Sequence, residues 1–135
     1  MIVLDTDAIS DLMRPRPAAA LVSLIGEFAA DEQGTTAVTL GELAYGAYRV
    51  QRPELYARAL RLLAGCTILP FDQAAAERYG EVRSQLEAAG ERLDDPDLRI
   101  AATVLVHDAT LVTGNARHFV RIPRLVVRTW LPAPG

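Results

Sequence analysis

The sequence predicts an α/β protein with helices packed on both faces of a parallel sheet, and three observations carry that expectation. Five short runs rich in Val, Ile, Leu and Thr ("MIVLD", "TTAVT", "TILPF", "TLVTG" and "LVVRT") mostly lack strict polar alternation, which suits strands buried on both faces. Between them lie stretches whose apolar residues recur every three or four positions, the helical period. Strands alternating with helices give a layered sandwich with right-handed crossovers.

Taken in order, "MIVLD" ends in Asp5, and a helix follows from about "AIS", with Asp7 immediately before it and better placed than Asp5 to cap it. "PAAALVSLIGEFAA" is the second helical stretch. After "TTAVT" comes "LGELAYGAYRV", where Thr39 and Glu42 stand in the T-x-x-E relation of a capping box, placing Glu42 in the first turn. "PELYARALRLLAG" starts at a proline and stops at a glycine, as helices prefer. "TILPF" precedes the longest helix candidate, "QAAAERYGEVRSQLEAAG", closed by Gly90. In "DDPDLRIAATVLVHD" the order suggests Asp95 as cap, Pro96 as first helical residue and Asp97 in the first turn. "TLVTG" and "LVVRT" complete the strands. One domain is expected over residues 1–130, with "LPAPG" (131–135) as a flexible tail.

A chain of 135 residues, half of them hydrophobic, is long enough to bury a core without disulfides or a structural metal. No apolar run approaches the roughly 20 residues that span a bilayer. No basic segment precedes the first strand, so a cytoplasmic address is expected. Cys66 is the single cysteine and reads as a buried spectator rather than a nucleophile. The net charge is −3, yet all 14 basic residues are arginine and none is lysine. Four of them, Arg117, Arg121, Arg124 and Arg128, fall between Asn115 and Trp130 without an acid, a patch able to meet a phosphate backbone or simply to face solvent.

In open parallel sheets ligands sit beyond the carboxyl ends of the strands, where strand order reverses. Asp5 ends the first strand, and Thr113 and Asn115 end the fourth. Acids also gather where helices begin, at Asp7, Glu42, Asp94, Asp95 and Asp97. Carboxylates brought together repel one another, and their natural counterion is a hard divalent cation such as Mg²⁺ or Mn²⁺. No Ser-His-Asp or Cys-His arrangement, Walker-type loop or G-x-G-x-x-G is present. "IVLDTD" matches the opening of an aspartyl phosphatase of the haloacid-dehalogenase fold. That chemistry fails here because it uses a basic residue, usually lysine, on the phosphoryl group, and this chain has no lysine. Its acidic motif should also follow a strand, and its Ser/Thr-ended strand should come earlier. A two-component receiver domain fails on the missing lysine too.

"LDTDAIS", "TLGELAYGA", "ILPFD", "DLRIAATVLVHDATLVTGNARHF" and "LVVRTW", in that order from Met1 to about Trp130, resemble a PIN domain of the VapC or FitB toxin type. The resemblance implies a three-layer α/β/α sandwich with a five-stranded parallel sheet. It implies an acidic pocket for Mg²⁺ or Mn²⁺ and endonucleolytic cleavage of RNA. Asp5, Glu42, Asp97 and Asn115 match the family's catalytic positions, with Asp5 and Asp97 as the principal metal ligands. Thr6, Asp7, Thr113 and His118 are expected around them. Asp7 stands where Asn or Ser is usual, and His118 where Asp is common. Arg14, Arg16, Arg117 and Arg121 are candidates for gripping RNA. The implied partners are a VapB-type antitoxin, a second copy of the chain in a homodimer, and operator DNA through the antitoxin alone, with no membrane. A competing expectation is a catalytically weak module that acts only through antitoxin and operator binding.

Overall fold

The computed structural model describes residues 1–132. The last part of the expected 131–135 tail therefore lies outside the described residues. Five parallel strands, β1 (Ile2–Leu4), β2 (Gln33–Thr36), β3 (Thr67–Leu69), β4 (Thr110–Val112) and β5 (Val126–Arg128), form one sheet in the order β3-β2-β1-β4-β5. From β1 the chain moves outward through β2 to β3, then crosses back to β4 on the other side of β1. The reversal thus falls between β1 and β4, beyond whose carboxyl ends a ligand site is expected.

Successive strand residues point to opposite faces, and here both faces are apolar. Val3 and Leu111 enter one core with α5 (Gln73–Ala88), α6 (Asp95–Val106) and α7 (Ala116–Phe119). Ile2, Leu4 and Val112 enter the other with α1 (Thr6–Leu12), α2 (Ala19–Gly26) and α4 (Pro53–Leu62). This is the three-layer α/β/α sandwich with a five-stranded parallel sheet. Helix α6 buries Leu98 and the whole run Ile100–Leu105, so it is apolar nearly all round and fixed within the core. Among the described residues no helix is long and apolar enough to cross a membrane.

Three element starts differ from the sequence-based expectation. Strand β2 ends at Thr36, and Ala37–Thr39 already belong to α3 (Ala37–Arg49), because the Thr36 hydroxyl accepts the Thr39 N–H at 3.0 Å and caps the helix there. The Thr39–Glu42 capping box does not form, and Glu42 lies in the second turn rather than the first. Asp5, not Asp7, caps α1, accepting the Ala8 N–H at 2.9 Å. Asp94, not Asp95, holds the cap position of α6, and Asp95 and Pro96 are already helical. Leu131, at the start of the expected tail, donates its N–H to the Thr129 hydroxyl at 3.2 Å.

Candidate active site

Asp5 emerges from β1 at the switch point and is only 6% exposed. Its carboxylate accepts the Ala8 N–H, and the buried Thr113 hydroxyl at the end of β4 also favours its charged form. The same hydroxyl accepts the Asn115 N–H at 2.9 Å. These bonds favour the charged form, but burial outweighs them, and with repulsion from Asp7 and Asp97 it pushes the Asp5 pKa up to about 7.

Asp97, in the first turn of α6, is half-buried. Burial, then the charges of Glu42 and Asp94, raise its pKa to about 6, while His118 pulls in the other direction. Glu42 accepts a hydrogen bond from the Thr6 hydroxyl at 2.7 Å, so the carboxylate freed from the capping box is aimed at α1 and the cluster. Asn115 Nδ2 lies 2.8 Å from His118 Nδ1. The structure thus brings Asp5, Asp7, Glu42 and Asp97 together, with Thr6, Thr113, Asn115 and His118 around them. The three acids of "DDPD" separate: Asp95 is turned outward to Tyr79 and Arg99, while Asp97 faces the cluster.

Among the described residues none of the ion pairs engages Asp5, Asp7, Glu42 or Asp97. The charges of these acids act on one another with no arginine paired to them. Among the described residues no three Asp, Glu, His or Cys side chains close into a ready-made metal cage. The donor set nevertheless fits a hydrated hard cation, which needs only one or two carboxylates and keeps several waters.

The arginines are distributed differently from the expected patch. Arg128 pairs with Glu27 at 3.2 Å. Arg121 is clamped by the Arg92 carbonyl at 2.8 Å and lies 3.5 Å from Glu91. Arg117 remains beside the site with Arg121, Asn115 and His118, in a groove of about 920 Å³ that Arg83 and Arg92 also line. Those last two were not legible beforehand, because they come from α5 and the loop after it. Arg14 lines a smaller depression together with Asp7 and Asp11. Arg16 is exposed and lines neither depression.

A parallel sandwich with uncompensated acids at its switch point defines an α/β protein with an acidic site beyond the ends of its central strands. More particularly, the chain belongs to the PIN-domain family, whose family model, "PIN domain", matches residues 2–125. Its relatives include the ribonuclease VapC2 of Rickettsia felis, 34% identical over 70% of this chain and 72% of that protein. Toxin FitB of Neisseria gonorrhoeae is 31% identical over 96% of this chain and 99% of that protein. Among solved structures, the crystal structure of VapBC2 from Rickettsia felis bound to a DNA fragment from their promoter has TM-score 0.84 and 29% identity, covering 97% of this chain and 100% of that one.

Proposed function

We propose that the chain is the toxin of a toxin–antitoxin pair, a Mg²⁺- or Mn²⁺-dependent endoribonuclease acting in the cytoplasm where its RNA lies. The observation that carries the site assignment is the uncompensated acid cluster of Asp5, Asp7, Glu42 and Asp97 at the switch point, in a chain related along its length to VapC and FitB proteins. Asp5 and Asp97 would hold the ion. Such an ion supplies Lewis-acid polarisation of a phosphate and activation of a water.

The remaining residues position that chemistry. Thr113 and the Ala8 N–H fix the Asp5 carboxylate, as surrounding hydrogen bonds orient a ligand. Thr6 occupies Glu42 Oε1, which leaves Oε2 to accept a hydrogen bond from a water attacking in line. Asn115, braced by Thr113 and His118, supplies a neutral amide at the rim. Hydrolysis of this type leaves a 5′-phosphate and a 3′-hydroxyl. Arg117, Arg83 and Arg92 would meet the sugar-phosphate backbone in the large groove. Likeness to VapBC2 bound to promoter DNA supports an antitoxin partner that brings the complex to its operator. Exposed Tyr45, Tyr48 and Val50 around the end of α3, with Leu60 and Leu62 on α4, offer apolar surface for a second copy or that antitoxin.

The test is cleavage of a mixed cellular RNA pool by the purified chain. Asp5→Asn and Asp97→Asn are expected to lower the rate by about 100-fold or more while circular dichroism shows the fold unchanged. Full activity in either variant contradicts the site. A wild-type chain that binds antitoxin but cuts no RNA with either ion favours the binding-module reading.

A further inference from the structure

Beside the acid cluster lies an open depression of about 320 Å³, lined by Asp7, Ser10, Asp11, Arg14, Gly114, Trp130 and Leu131. It borders the cluster through Asp7, and Gly114 on its wall is followed in the chain by Asn115, which lines the arginine-bearing groove. A Cβ placed on Gly114 would stand 3.3 Å from Asp7 Cβ and 3.3 Å from Trp130 Cη2. The missing side chain is therefore what lets the indole edge come up beside the acid. Trp130 packs partly on the core under α1 and α2, yet keeps part of its ring on the cavity wall. Arg14 is tethered to Asp11 through one nitrogen at 3.2 Å, and its side chain is 71% exposed. Its other guanidinium N–H groups remain available to a ligand.

We propose that this Trp130–Arg14 cavity is a binding subsite for one nucleobase of the RNA, flanking the hydrolytic centre. The proposal rests on the nuclease reading and assigns specificity to residues outside the acid cluster. An indole and a guanidinium lining one depression that also contains Asp7 of the acid cluster match a base in two respects. Every base has a π-face that stacks on an aromatic ring, and a guanidinium donates in its plane to base carbonyls, ring nitrogens or an adjoining phosphate. The strand would then run from the arginine-lined groove, across Asn115 and the acids, into this cavity.

Trp130 is the single tryptophan of the sequence, so its emission reports on this cavity alone. The experiment titrates the wild-type chain, with EDTA present to prevent cutting, against a short single-stranded oligoadenylate. An abasic strand of equal length serves as the comparison. Binding is followed in parallel by anisotropy of labelled strands. Quenching in step with binding is expected from the base-bearing strand, and no quenching from the abasic one. Cleavage kinetics give the second measurement. Trp130→Leu, which keeps apolar packing, should raise KM about 10-fold with kcat nearly unchanged, and Trp130→Phe should restore most of the loss. A structural role alone would lower thermal stability without this selective KM effect. Binding without quenching, or wild-type kcat/KM in Trp130→Leu, overturns the subsite and leaves the nuclease reading standing. Quenching by an antitoxin but not by RNA assigns the cavity to a protein and also overturns it. A wild-type chain that neither binds nor cuts RNA overturns both.

Discussion

At the residue scale, the site is a conflict between charge and burial. Asp5 has an ordinary pKa near 3.8 when unfolded and about 7 when folded without a cation. Between these values the folded chain binds more protons than the unfolded chain, so metal-free stability is present at low pH and falls as pH rises through about 4 to 7. Asp97, raised to about 6, acts in the same direction. Asp5→Asn keeps a capping oxygen for Ala8 but cannot ionise. Its thermal midpoint in EDTA should depend less on pH, and at about pH 8 should exceed the wild type by several degrees. A wild type whose midpoint does not fall across that range contradicts the assignment of the conflict. Thr6→Val would leave Glu42 without its hydrogen bond and lower cleavage about 10-fold, a loss read from initial rates. Asp5, Asp97 and Asn115 were legible in the sequence because a polar residue after an apolar strand, or at the head of an apolar helix, has few other places to go. Arg83 and Trp130 were not, since their roles depend on which surfaces the fold brings beside the acids.

At the element scale, the three helices that carry Asp7, Glu42 and Asp97 each offer two plausible caps: Asp5 and Asp7, Thr36 and Thr39, Asp94 and Asp95. Sequence spacing cannot choose between them, because the choice depends on where strand pairing stops. Thr36 pairs with Leu69 as the last step of the β2–β3 register, and α3 starts immediately after it. That early start moves Glu42 into the second turn and frees its carboxylate for Thr6. Thr36→Ala removes both the cap and its bond to the Thr39 hydroxyl. It should cost about 1 kcal/mol, seen as a fall of about 3–5 °C in thermal midpoint. An unchanged midpoint contradicts the cap.

At the scale of the whole molecule, the fold class was legible because helical and strand-like periods alternate along the chain. The order β3-β2-β1-β4-β5 gives that alternation its functional meaning, since it sets the ends of β1 and β4 side by side. The expected arginine patch is divided, because Arg128 is drawn to Glu27 while Arg117 and Arg121 line the large groove, Arg121 held there by the loop at Arg92. Partners distant in sequence decide such pairings. The central claim is that the acids gathered at this switch point are completed by a divalent cation. Calorimetric titration of the wild type and Asp5→Asn with Mn²⁺, at about pH 6 and about pH 8 in buffers of different ionisation enthalpy, tests it most directly. The account predicts binding by the wild type with release of about one proton at the lower pH and almost none at the higher, as Asp5 and Asp97 give up protons to the ion. It predicts much weaker binding by Asp5→Asn. Equal binding by both proteins, or binding without a pH-dependent proton release, would contradict it.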